Sequence, residues 1–254
     1  MVKIAWCLSG QPRQLLEGNE TIKEYIKNNN VEVDFFCHGW YNDKDNISKA
    51  PWATTREGST VIRKKDMDNI LKLYNPKSYL FEEEIKFSSK QFENSILYNN
   101  TKQHQCFKNI SNCLSCQSSR QKCINLLIKY ENSNNLNYDI IFFSRYDFRI
   151  NIKLKINEID VSKIYSTDIH NVNNRILISP ALTVGSGEIT KNIYKNIFDN
   201  INKYKNDDNM NKLINNHCKS KMKLNDEEIF MSNFLYNNYK ISDIKFTNKI
   251  PNFI

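Results

Sequence analysis

Seven apolar-rich residues, Val2 to Leu8, stop at the polar turn Ser-Gly-Gln-Pro-Arg, residues 9–13. A run of that kind suits a strand covered on both faces, which happens in parallel sheets flanked by helices. The next segment, 14–28, places Leu15, Leu16, Ile22, Tyr25 and Ile26 at helical spacing. The pattern then repeats. A strand is predicted over 31–40 ("VEVDFFCHGW"), a short helix over 67–74 ended by Asn75-Pro76, and a strand over 77–83. A helix follows over 115–131 with Cys123, Leu126, Leu127 and Tyr130 on one face, then a strand over 139–144. Later come a strand at 163–166, a longer one over 175–185 ("RILISPALTVG") and a helix from near Ser186 carrying Ile189, Ile193, Ile197 and Phe198. A helix over 225–238, with Asn225 as its N-cap, and a strand over 240–246 close the series. Strand and helix in alternation predict an α/β chain with a mostly parallel sheet flanked by helices. With no internal repeat, linker or break in composition, the whole of 1–254 reads as a single Rossmann-like domain.

Composition removes several classes of function. Hydrophobic residues make up 40 % and aromatics 12 %, enough for a packed core and too much for a disordered chain. The net charge of +8 is spread along asparagine-rich stretches such as 28–30, 132–135 and 206–216, with no basic run interleaved with aromatics. That argues against a nucleic-acid groove. No stretch approaches the ~18 apolar residues of a membrane span, and the N-terminus lacks the pattern of a signal peptide. The expectation is a cytoplasmic protein, in which the sequons at Asn19, Asn46, Asn99 and Asn109 carry no weight. Cys7, Cys37 and Cys218 then read as reduced thiols. Cys106, Cys113, Cys116 and Cys123, with His104 nearby, have spacing that zinc or a disulfide can use. A second C-x-x-C is missing and Cys123 falls in a helical pattern, so free thiols are expected ahead of either.

Two polar clusters follow predicted strands, where open α/β sheets bind ligands. In the first, Gly10 lets backbone approach a ligand, Ser9 and Gln11 offer hydrogen bonds, and Arg13 offers a guanidinium fork for phosphate. Neither G-x-G-x-x-G nor the G-x-x-x-x-G-K-[ST] phosphate loop is present, which argues against dinucleotide oxidoreductases and P-loop ATPases. In the second, Arg145 and Asp147 lie on one side of a strand end. Arg145 suits a phosphate oxygen, and Asp147 suits Mg²⁺ or Mn²⁺ shared with a diphosphate. Further along, Glu188 follows "GSG", and Asp226, Glu227 and Glu228 open a helix. Acids there complement the helix dipole, the role given to Glu228, while Asp226 or Glu227 can instead act as a general base.

Taken in order, "IAWCLSGQPR", "VDFFCHGW", "YDIIFFSRYDFRI", "LTVGSGE" and "NDEEIFMSNFL" resemble a family of glycosyltransferases. That family occurs in large DNA viruses of algae and amoebae and in bacterial polysaccharide gene clusters. The resemblance implies a GT-A fold, a hexosyltransferase-like activity, a nucleotide-sugar donor, a glycan or glycoprotein acceptor, and Mn²⁺ or Mg²⁺. It implies nucleotide contacts from Ser9, Gly10, Gln11 and Arg13, a metal on Asp147 and a base at Glu227; the reading of the residues adds Arg145 to the nucleotide contacts, Asp226 as the neighbouring candidate base, and His38 and Glu188 as candidate substrate contacts. Arg145 stands where such enzymes carry the first acid of Asp-x-Asp. A viral origin would place the activity in the host cytoplasm. The rival expectation is a non-catalytic glycan- or nucleotide-binding module that has kept the fold and lost the chemistry.

Overall fold

The computed structural model describes residues 2–44, 62–92, 110–150, 154–167, 169–172, 175–205 and 226–246. The strands are β1 (Ile4–Gly10), β2 (Val33–Tyr41), β3 (Ser78–Glu83), β4 (Ile140–Arg145), β5 (Ile164–Ser166), β6 (Ile169–Val172), β7 (Arg175–Ile178), β8 (Leu182–Ser186) and β9 (Ile244–Phe246). The α-helices are α1 (Leu15–Asn29), α2 (Met67–Tyr74), α3 (Ile110–Asn134), α4 (Gly187–Tyr194) and α5 (Asp226–Tyr236). None of the described helices is long and apolar enough to cross a membrane.

Seven strands form one sheet in the order β3-β2-β1-β4-β8-β5-β9, and β6 pairs with β7 in a separate hairpin. The α/β class with a mostly parallel sheet flanked by helices is therefore as expected. Six of the seven strands run one way, and β8 alone runs against both of its neighbours, β4 and β5. The predicted strand over 175–185 is two strands, β7 and β8, with the chain turning at Ser179-Pro180-Ala181. Proline has no N–H to give a ladder, so a continuous strand cannot pass through it in the middle of a sheet.

Side-chain alternation divides the core between the two faces of the sheet. Ile4, Trp6 and Leu8 of β1, with Phe142 of β4, pack against Ile22 and Tyr25 of α1 and Ile70 of α2. Ala5, Cys7 and Phe143 point the other way, toward Leu114, Cys123 and Leu127 of α3 and Ile193 and Tyr194 of α4. Trp6 stacks on Phe142 at 4.5 Å on the first face, and Phe143 stacks on Tyr194 at 4.1 Å on the second. α3 is longer than predicted and lies against β1, β2 and β3. α1 comes so close to the loop after β4 that a Cβ on Gly18 would stand 1.9 Å from the Tyr146 carbonyl oxygen.

Candidate functional site

The strand order reverses between β1 and β4: the chain builds outward through β2 and β3, then returns to add β4 on the other side of β1. A crevice opens at such a switch point, beyond the carboxyl ends of the two strands. Register places Ser9 of β1 directly beside Arg145 of β4. The two polar clusters found in the sequence therefore meet.

Arg145 closes on Asp147 with a two-pronged bond, Nε to Oδ1 at 2.8 Å and Nη2 to Oδ2 at 2.6 Å. The pair is only partly accessible, 29 % for Arg145 and 14 % for Asp147. Fork-to-fork geometry of this kind fixes both side chains. Across from it, the Gln11 side-chain carbonyl accepts two bonds from Arg13, one of them from Nε at 3.0 Å. The Gln11 amide reaches Glu84, at the end of β3, at 3.4 Å. Burial pulls the Arg13 guanidinium down from its ordinary range; Asp147 pushes it back up, Arg145 lowers it, and Cys116 and Glu84 raise it. Arg145, Asp147, Glu84 and Cys116 thus all lie within electrostatic reach of Arg13. Beside it a cleft of about 390 Å³, lined by Asn42, Lys44, Glu83, Glu84, Ile85 and Lys86, opens over the ends of β2 and β3.

Three expected contacts take other roles. His38 is fully buried, because its β2 position turns it toward α3 and not toward the crevice. Its Nδ1 lies 2.7 Å from Ser119 Oγ and its Nε2 lies 3.0 Å from Glu82 Oε2. Gly10 does take up a conformation that glycine favours, φ +103°, but its N–H is spent on Ser119 Oγ at 2.8 Å. Ser9 is buried beside it, so only Gln11 and Arg13 of the turn reach the crevice edge.

Glu188 is placed at the opposite edge of the sheet. β8 runs antiparallel, pairing its last residue, Ser186, with Ile140 at the start of β4, so whatever follows β8 lies a strand's length from Arg145. A larger cleft of about 590 Å³ is there, lined by residues that include Tyr138, Asp139, Glu188 and Lys191. Size alone favours that cleft, but the convergent guanidinium and carboxylate groups belong to the other edge, and they decide the choice. Asp226 and Glu227 start α5. Phe230 packs on Tyr194, which stacks on Phe143, and beyond the helix the Asn192 amide donates to the Tyr239 hydroxyl, so α5 is seated on α4. Glu227 is half-buried and Glu228 is buried.

Both oxygens of Asp147 accept from Arg145, and among the described residues no group of three His, Cys, Asp or Glu side chains is placed to hold a metal ion by itself. Cys7, Cys37, Cys113, Cys116 and Cys123 are reduced and take part in no disulfide. Cys106, His104, Cys218, Asn225, Asn46, Asn99 and Asn109 lie outside the described residues. Sequence reasoning missed Glu84, although it directly follows an expected strand. It also missed Ser119, whose sole signal is its place one helical turn before Cys123. Compared with known proteins, the chain matches no family model and no curated protein.

Proposed function

We propose that the chain is a glycosyltransferase with a GT-A-like sheet, moving a hexose-type sugar from a nucleotide-diphosphate donor to a hydroxyl of a glycan or glycoprotein. One observation carries this reading: the register of β1 on β4 brings the Arg13 turn and the Arg145–Asp147 pair to one crevice at the switch point. The order of the first four strands, 3-2-1-4, supports it, since that order belongs to nucleotide-binding sheets.

In the proposed reaction the acceptor oxygen attacks the anomeric carbon while the bond from that carbon to the diphosphate breaks. The bonding electron pair leaves with the diphosphate, so negative charge grows on its oxygens. Arg13 and Arg145 meet that charge. A guanidinium has five N–H donors, of which Asp147 takes two from Arg145. Asp147 holds the Arg145 plane in place before the donor arrives, which makes the stabilisation preorganised. Partial burial of Arg13 strengthens it by lowering the local dielectric. Glu227, or Asp226 beside it, takes the acceptor's proton from the start of α5. Charge neutralisation is assigned to the two guanidiniums, and no step passes through Mn²⁺ or Mg²⁺.

Melting shifts against a panel of nucleotide-sugars, with Arg145→Ala alongside, test the reading. Stabilisation by nucleotide-sugars that Arg145→Ala abolishes is the expected result. Stabilisation by oligosaccharides with no response to any nucleotide would replace the transferase with a glycan-binding module.

A further inference from the structure

Behind the crevice a line of hydrogen bonds has only one possible direction. Glu82 accepts, because the bond from His38 holds its carboxyl down at about 2, with Lys122 adding to the effect. His38 must then donate from Nε2, which leaves Nδ1 as an acceptor. The Ser119 hydroxyl gives its proton to Nδ1, and its lone pair takes the N–H of Gly10. His38 and Ser119 are fully buried, and Gly10 is the residue in the left-handed region from which the Gln11–Arg13 turn departs.

We propose that His38 and Ser119 are positioning residues for the nucleotide turn, tying the Gly10 backbone through the imidazole to Glu82 at the outer strand of the sheet. This rests on the transferase reading for the identity of the ligand but not for the relay itself. The turn is thus set by the tautomer of a histidine that touches no ligand. Protonation of His38 puts a second N–H against Ser119 and turns the hydroxyl proton away, so that Oγ accepts from Nδ1 and from the Gly10 N–H together and the environment of the Gly10 amide changes. The groups facing the ring are Glu82 of β3, which favours the imidazolium, and Lys122 of α3, which opposes it. The Cys123 thiol of α3 bonds the Leu8 and Phe36 carbonyls, Trp40 meets the ring edge-on at 4.7 Å, and the Tyr146 hydroxyl donates to the His38 carbonyl. Burial keeps the ring neutral near pH 7.

The chain has six glycines, and only Gly10 and Gly187 follow a serine. Carbonyl-labelled serine with ¹⁵N-glycine therefore isolates two amide signals. In Ser119→Ala the exchange of the Gly10 amide should rise about tenfold, as for loss of one buried hydrogen bond, with Gly187 unchanged. In the wild type the Gly10 signal should move with the His38 ring as pH falls, and His38→Gln should flatten that profile. Affinity for UDP, GDP or ADP, whichever binds the wild type, should fall about tenfold in Ser119→Ala. A Gly10 signal that ignores both Ser119→Ala and the His38 titration would overturn the relay. If the variants do not fold, the wild-type titration decides alone. If no nucleoside diphosphate binds the wild type, the transferase reading falls and Gly10 still judges the relay.

Discussion

Gly18→Ala sets two effects of opposite sign against each other. Within a helix, alanine is more favourable than glycine by about 1 kcal/mol, so propensity alone predicts a more stable protein. The structure predicts the reverse. A methyl group at position 18 would lie 1.9 Å from the Tyr146 oxygen and 3.1 Å from its carbonyl carbon. The obstacle is backbone, so no rotamer relieves it, and α1 or the 146–150 loop must retreat by about 1 Å or more to reach contact distance. Retreat is resisted because Thr21 also receives the Ile150 N–H at 3.0 Å. Overpacking of this kind costs about 1–3 kcal/mol, and forced backbone movement belongs to the upper part of that range. The expected net effect is a loss of about 1–2 kcal/mol, or roughly 2–8 °C in Tm for a chain of this size. Because the displaced loop contains Asp147, affinity for a nucleoside diphosphate should fall in the same variant. Thermal denaturation followed by calorimetry reads both, with the exposed Glu20→Ala as control. An unchanged or raised Tm would show that α1 does not press on this loop, and would remove the reason for expecting Asp147 to move.

Other tests address single groups. Arg13→Ala should weaken nucleoside-diphosphate binding by about 1.5–3 kcal/mol, the range for a hydrogen bond to a charged group; a loss within calorimetric error would return the turn to a purely structural role. Glu227→Gln should lower sugar transfer by about two to four orders of magnitude with donor affinity nearly unchanged, and a large effect in Asp226→Asn instead would move the base by one residue. Acid should destabilise the fold through two groups. His38 is held below its ordinary 6.5 by burial, so the unfolded chain binds its proton first and stability falls as pH drops below that value. Glu82 is held at about 2 against an ordinary 4.5, chiefly by the His38 bond, so its contribution is present above 4.5 and fades as pH falls toward 2. A Tm that stays flat from pH 7 to pH 5 would contradict the first, and one that stays flat from pH 5 to pH 2 the second.

The parts of the fold that the sequence announces are those governed by local rules. The apolar runs of β1 and β4, the helical spacing of α1 and the stop at Asn75-Pro76 each depend on residues within a few positions of one another. The meeting of Arg13 with Arg145 was readable to the same extent, since both groups follow strands expected to be parallel. Direction along the sheet was not readable in β8. Nothing in "LTVGS" distinguishes a strand that runs with its neighbours from one that runs against them, so the sequence does not show that Glu188 and Arg145 lie at opposite ends of their strands. His38 is a different case. A histidine near the end of an apolar strand looks like a ligand contact until the opposite face is known to be covered by Ser119, eighty-one residues away in sequence. Hydrogen bonds at that separation leave no mark on local pattern.

α3 imposes one further condition. Ser119 on this helix meets Gly10, while Glu131, three turns later, accepts from the Tyr138 N–H and from Lys191. Each residue of an α-helix turns through about 100°, and twelve residues advance it about 18 Å. Any single insertion or deletion between the two would swing one of these anchors away from its partner while the other stayed seated. The span from 119 to 131 behaves as a ruler of fixed length and phase, and the chain can change length in its loops but not there.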